Sequence, residues 1–404
     1  MDAARIETLF CENFTSFGDL GASLSVWHEE REVISLAEGW RDRDRTLPWT
    51  ADTPVLVWSA TKGPAVACVL HAMQERGLTL DTRVADVWPE FAAHGKGVLS
   101  IGGALSHQSG VPALDCTANV LDHDEVARAT AEQVPFWEPG TAHGYGPRLY
   151  GFLLDELVRR IAGRPLGEYW RAVFAEPLAL DFWMGVPAGL VEKVAPIFPP
   201  KAAPPKDRFY TAFVTPGSLT LRAFGSPEGL KSVAAMNAPG GRRASLPGFG
   251  GIGTAAALAK FYAMLAVGGS LDGRAFFTAE TLGWMQRTLV QGDDCVLLTD
   301  TAFSAGFMRD PVSPDGKKLR AIFGPSFSAF GHPGAGGSHA FADPERRIGF
   351  AYVMNRMEPG VLPGPMALRL VEAVCGQASR AMGGTPAPVL HLRHFPSCDL
   401  AGLD

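Results

Sequence analysis

Strand-like patterns occupy both ends of this chain and helix-like patterns its middle, and that arrangement limits the folds open to it. Near the N-terminus, residues 21–41 (GASLSVWHEEREVISLAEGWR) alternate apolar and polar around a charged centre, which predicts a two-stranded hairpin. Strand patterns return from about 302 to 355, in AFSAGFMR, KLRAIFG, HAFADPE and RIGFAYVMN, the last two joined by the turn-like Asp343-Pro344-Glu345-Arg346. Between them apolar residues recur at helical spacing over 65–77, and helices also fit 3–15, 124–133, 150–162, 166–175, 255–268, 278–287 and 363–380. Terminal strands that meet in one antiparallel sheet flanked by helices leave the middle as a mostly helical inserted subdomain, an α+β architecture. The expected division is 1–60 with 255–385 for the sheet-bearing part, 61–254 for the helical part, and 386–404 for a Pro-rich irregular tail. Within the insertion, residues 186–250 carry FPPKAAPP, TPG and APGGRRASLPGFGG, which resist regular structure. Such a stretch suits either a surface excursion or one wall of a cleft.

Composition excludes several functions. A net charge of −6 provides no basic surface for nucleic acid or an anionic membrane. No uncharged apolar run reaches the length of about 18 residues that a membrane span needs, and the acidic start MDAARIETLFCENF does not look like a signal peptide. Six cysteines without a CxxC pair read as reduced, mostly buried thiols and point to a cytoplasmic protein. His391 and His394 have metal-like spacing but sit in a loose tail without acidic or cysteine neighbours close by, so no metal site is expected.

Three short stretches carry the chemistry. The first is Ser59-Ala60-Thr61-Lys62 in VLVWSATKGPAV. A serine hydroxyl is a weak nucleophile until a base takes its proton. Residues three apart share a helical face, so the Lys62 amine can reach the Ser59 oxygen. Burial among Val57, Trp58 and the apolar helix would keep that amine neutral enough to act. Alone, the pattern more often marks a capping serine and an exposed lysine. Pro64 implies an irregular turn before the regular helix begins. The second stretch is His143-Gly144-Tyr145-Gly146-Pro147-Arg148-Leu149-Tyr150. Tyr145 reads either as a core aromatic or, beside a lysine, as a proton-transfer group. The third is Gly331-His332-Pro333-Gly334-Ala335-Gly336-Gly337-Ser338, which reads as a glycine-rich turn or as an edge offering an N–H to a developing oxyanion. No GxSxG, HExxH, Walker or EF-hand pattern competes.

In this order the three stretches resemble the serine β-lactamase and D,D-peptidase superfamily, most of all class C β-lactamases and family VIII carboxylesterases. The resemblance runs from about residue 20 to 380. It is strengthened by Leu105-Ser106-His107-Gln108-Ser109-Gly110-Val111-Pro112, by GGIGTA at 250–255 and by FADPERRIGFAYVMN at 341–355. It implies that Ser59 and Lys62 form the SxxK pair, that Tyr145 is the tyrosine of a YxN-type motif, and that His332-Pro333-Gly334 takes the KTG place. It further implies an acyl-enzyme on Ser59, with Tyr145, assisted by Lys62, accepting the serine proton. The N–H groups of Ser59 and Ala335 would then form the oxyanion hole. Trp58, Tyr150, His332 and Gly334 would line the substrate cleft, and no metal or organic cofactor is implied. Pro147 replaces the Asn of YxN, and Pro333 and His332 replace the Thr and Lys of KTG. Those lost groups resemble the ones that bind a substrate carboxylate. The expected substrate is therefore a short-chain or otherwise uncharged carboxylic ester. An acyltransferase, a promiscuous β-lactamase or amide hydrolase, and a catalytically silent binding protein remain as alternatives.

Overall fold

The computed structural model describes residues 1–376 and the backbone of a two-residue strand, Leu390–His391. The tail expected at 386–404, with His394 and Cys398, otherwise lies outside the described residues, as do residues 377–380 of the expected last helix.

The terminal strands meet in one nine-stranded sheet. From one edge the order is 390–391, 31–39, 21–28, 348–354, 339–343, 330–333, 308–309, 300–303 and 290–293. The pairings are antiparallel except that Leu390–His391 runs parallel to the strand Arg31–Gly39. The central strand Ile348–Met354 is buried along its whole length because both faces of the sheet are covered. Ile348, Phe350, Tyr352 and Met354 point into one core with Ile6, Phe10, Phe14, Leu370 and Val374 of the terminal helices Ala3–Ser16 and Pro365–Cys375. Ala351 and Val353 point into the other, with Leu258, Phe261 and Leu265 of the helix Ala255–Ala266. Gly349 lets that helix lie on the strand, since a β-carbon there would stand 2.3 Å from the Ala259 carbonyl oxygen. Thr254 caps the helix through the Ala257 amide.

KLRAIFG is not a strand. Ile322 and Phe323 instead donate their amides to the Asp310 carboxylate, at 3.0 and 3.3 Å, and Lys318 pairs with it at 2.9 Å. Residues 186–250 are also more regular than their Pro and Gly content implies. Arg208–Val214, Leu219–Gly225 and Val233–Asn237 are short helices, started by side-chain caps from Asp207, Ser218 and Ser232. Burial of the cysteines is likewise less general than expected: Cys68 and Cys375 are buried, Cys11 and Cys295 half-buried, and Cys116 exposed. Among the described residues no helix is long and apolar enough to cross a membrane.

One histidine ties the helical part together. His123 sits between Asp155 and Glu156, with its two ring nitrogens 2.9 and 3.0 Å from their carboxylates. Burial disfavours its charge, but the two hydrogen bonds outweigh burial and push it up to about 9. The unfolded reference is about 6.5. Its contribution to stability is therefore complete below about pH 6.5 and is lost as pH rises through about 9. The melting-temperature gap between wild type and His123→Gln should be widest near pH 6 and close above pH 9. A gap that stays constant with pH would refute the charged assignment.

Candidate active site

The turn that carries Ser59 begins with strain. Trp58 has φ of +49°, a left-handed conformation costly for a bulky residue. A short 3₁₀ turn, Trp58–Thr61, then leads into the helix Lys62–Glu75. Pro64 falls in the first turn of that helix, where it removes no intrahelical hydrogen bond. The strand Gly251–Gly253 clamps this turn from the side. Val57 donates to the Gly251 carbonyl at 2.9 Å, and Gly251 donates to the Thr61 hydroxyl at 2.8 Å.

One helical turn beyond the serine, the Lys62 ammonium nitrogen lies 3.2 Å from Ser59 Oγ. It also donates to the carbonyls of Pro147, at 2.9 Å, and Gly248, at 2.7 Å. Gly248 comes this close because residue 151 is also glycine; a β-carbon on Gly151 would stand 2.1 Å from the Gly248 nitrogen. Lys62 is fully buried, with no carboxylate among its hydrogen-bond partners, and burial holds its amine well below the usual lysine range. It lies 4.7 Å from the centre of the Tyr145 ring. Burial pushes the Tyr145 phenol up, while its hydrogen bond with Ser59 acts the other way. Positions 59, 62 and 145 thus converge.

The glycine-rich stretch closes the third side. Gly334 packs against the serine turn so tightly that a β-carbon would stand 2.1 Å from the Val57 carbonyl oxygen. The amide of Gly334 is used, donating to Ser338 at 2.6 Å. Among the described residues the amides of Ser59 and Ala335 donate to no backbone acceptor, which leaves both N–H groups available.

Two of the residues expected in the cleft, Tyr150 and His332, are buried. Tyr150 is buried, and its hydroxyl donates to the Leu105 carbonyl at 2.7 Å. His332 is 1% exposed, with its ring 5.7 Å from that of Tyr145 and Nδ1 2.8 Å from the Pro333 carbonyl. Burial and the nearby Lys62 hold it well below the usual histidine range. Trp58, by contrast, is only half-buried.

The sequence left other participants without a role. The His107 ring packs at a tilt against Tyr150, with centres 4.1 Å apart, and against Tyr145, at 5.2 Å, and its Nδ1 accepts the Gly146 amide at 3.2 Å. It lies within the quoted LSHQSGVP stretch, so the signal was present. Gly248 lies in the Gly- and Pro-rich stretch 238–251 but acts through its carbonyl, and Asp294 lies outside every quoted stretch, so neither had a side-chain signal. The Arg148 guanidinium, 6% exposed, donates to the carbonyls of Leu230, Pro227 and Gly229 and lies 4.4 Å from the centre of the Phe249 ring. It fastens the 227–230 stretch to the start of the helix Leu149–Ala162.

A nine-stranded sheet with a helical insertion, converging on a Ser-x-x-Lys turn, a buried tyrosine and a glycine-rich strand, defines the β-lactamase and penicillin-binding-protein class of fold. The chain belongs to the beta-lactamase family, whose model matches residues 10–374, and so to a serine hydrolase superfamily. It is 32% identical over 347 residues to the esterase/beta-lactamase LipL of Mycobacterium tuberculosis, covering 83% of this chain and 77% of that protein. Among solved structures it resembles a penicillin-binding protein homolog from Caulobacter crescentus, at 36% identity and a TM-score of 0.81, covering 93% of this chain and 97% of that one. It equally resembles a family VIII carboxylesterase, at 32% identity and a TM-score of 0.81, with the same coverage.

Proposed function

We propose that the protein is a serine carboxylesterase that hydrolyses short-chain or otherwise uncharged carboxylic esters through an acyl-enzyme on Ser59. The observation that carries this reading is the setting of Lys62. A neutral amine has two N–H donors and one lone pair. The Pro147 and Gly248 carbonyls take the two donors at the shorter distances, so the lone pair faces Ser59 Oγ.

The roles follow from this geometry. Lys62 takes the Ser59 proton as the oxygen attacks the ester carbonyl. This reverses the order expected from the sequence, because burial lowers the amine and raises the phenol. The oxyanion lies between the N–H groups of Ser59 and Ala335. Tyr145 protonates the departing alkoxide and recovers its proton from the Lys62 ammonium. In the second step water attacks the acyl carbon and loses its proton through Tyr145 to Lys62. Lys62 returns that proton to Ser59 as the acid departs.

Two observations favour uncharged substrates. The Arg148 guanidinium, carried by the stretch that follows Tyr145, is already bound by three carbonyls. Beside the serine and the 334–337 turn stand the apolar Trp58 and Met357, which packs under Gly336, and the carboxylate of Glu358, which lies against Gly337 and would repel a substrate carboxylate. A second reading, β-lactam hydrolysis, draws support from the relative named for both activities.

Intact-mass spectrometry after brief exposure to an ester panel and to β-lactams tests the proposal. Short-lived ester adducts at Ser59, absent from Ser59→Ala, are expected. Turnover of nitrocefin at rates comparable with esters would favour the second reading. Failure of wild type to label with a fluorophosphonate would leave a silent binding protein as the better description.

A further inference from the structure

We propose that Asp294 is a positioning residue for Tyr145, acting through the tyrosine's own backbone amide. The proposal rests on the reading of Tyr145 as a proton-transfer group.

Asp294 is fully buried in the turn that follows the strand Val290–Asp293. Its Oδ1 accepts the amides of Tyr145 at 3.0 Å, Val296 at 2.8 Å and Leu297 at 2.8 Å. Its Oδ2 lies 3.1 Å from the Tyr145 amide and accepts the Thr301 hydroxyl at 3.0 Å. Thr301 is in turn 2.8 Å from His143 Nε2, and the Cys295 amide donates to the His143 carbonyl at 3.0 Å. The segments 143–145 and 294–301 are thereby fastened to each other around one carboxylate.

The bonds to Val296 and Leu297 are those of an ordinary turn-closing aspartate. They do not explain why the carboxylate also reaches an amide 149 positions away. Burying a carboxylate without a salt bridge to lysine or arginine is expensive, and the cost is met here by amide and hydroxyl donors. Only one of the residues it grips bears on the proposed chemistry. A side chain displaced by about 1 Å can lose on the order of 100-fold in rate, so fixing the Tyr145 main chain has a direct kinetic meaning.

The charge has a second consequence. The groups that face Tyr145 are Lys62, His107, His332, Tyr150 and Asp294. Asp294 acts with burial to raise the phenol, and the hydrogen bond with Ser59 opposes both. A carboxylate placed behind the tyrosine therefore keeps it a proton donor, the form that the departing alkoxide requires.

The test is a double-mutant cycle in the full chain, read as the second-order rate of fluorophosphonate labelling and as kcat for p-nitrophenyl butyrate per labelled site. Asp294→Ala should lower kcat on the order of 100-fold with KM nearly unchanged. In a Tyr145→Phe background the same change should cost less than about threefold, because the residue it positions has already lost its function. Asp294→Asn, which keeps one acceptor oxygen and the shape, should lose roughly tenfold by the same argument. It gives the same cycle if the alanine variant does not fold. Equal losses in both backgrounds, or wild-type kcat per labelled site, would overturn the proposal. Full activity in Tyr145→Phe alone would instead sink the underlying reading of Tyr145, so the two failures are distinguishable.

Discussion

Lys62→Met should abolish useful turnover while leaving the protein folded. Without the amine, Ser59 loses the acceptor 3.2 Å away, and the buried Tyr145 phenol is a poor substitute. Loss of a general base costs typically 100- to 10,000-fold, and the upper end, on the order of 10,000-fold in kcat/KM, is expected here. The pH profile provides an independent check. Only the neutral amine can accept a proton, so activity should rise as Lys62 deprotonates. Burial holds that limb well below the ordinary lysine value, and the limb should vanish in the variant. For stability the buried amine is a cost, and its pH dependence runs the same way as that of activity. The unfolded chain keeps its lysine proton to a higher pH than the folded one, so wild-type stability falls as pH falls through that window. Methionine removes this cost and fills similar space. It also leaves the Pro147 and Gly248 carbonyls without their donor, at about 1–3 kcal/mol each. The opposing contributions should leave the melting temperature within a few degrees of wild type. A variant that is inactive because it is unfolded would not support the assignment.

The contrast between Lys62 and Gly248 explains how much of this site was legible in sequence. Ser59 and Lys62 are three residues apart, and the local helical geometry that joins them is written in the spacing. The hairpin 21–41 and the helix Ala255–Ala266 were legible for the same reason, since their periodicity and caps are local. Gly248 meets Lys62 across 186 positions through a backbone carbonyl, and any residue type has a carbonyl. Asp294 drew no attention in sequence for the same reason, because its distant partner is a backbone amide. Tyr150 was expected to line the cleft, and its hydroxyl is engaged elsewhere. It is only five residues from Tyr145, but the helix Leu149–Ala162 turns it inward to Leu105. KLRAIFG has strand-like composition, and the Asp310 carboxylate bends it into a turn, a tertiary effect that no local pattern records. The short helices within 186–250 had a local signal in Asp207, Ser218 and Ser232, which the Pro and Gly content obscured.

Gly334→Ala should be the most damaging single-methyl change at the proposed oxyanion hole. The added carbon would stand 2.1 Å from the Val57 carbonyl oxygen, a separation that no real β-carbon contact has. The obstacle is backbone, so it cannot swing aside as a long side chain would. The strand Phe330–Pro333 is held in register with Phe341 and His339, and Gly334 itself is bonded to Ser338. Relief must therefore come from the 334–338 turn or from the serine turn, where Trp58 is already in a left-handed conformation. Either movement separates the Ala335 amide from the Ser59 amide. Loss of one oxyanion donor typically costs about 100- to 1,000-fold in kcat, and a decrement of that order is expected. KM should change far less, because the donor binds charge that develops only in the transition state. Gly189→Ala is a suitable control, since a β-carbon there meets nothing within 4 Å. It should match wild type in both kcat and melting temperature. The measurement is the burst and steady-state release of p-nitrophenol by the two variants. Wild-type kcat in Gly334→Ala would mean that the 334–337 turn contributes no donor to the reaction.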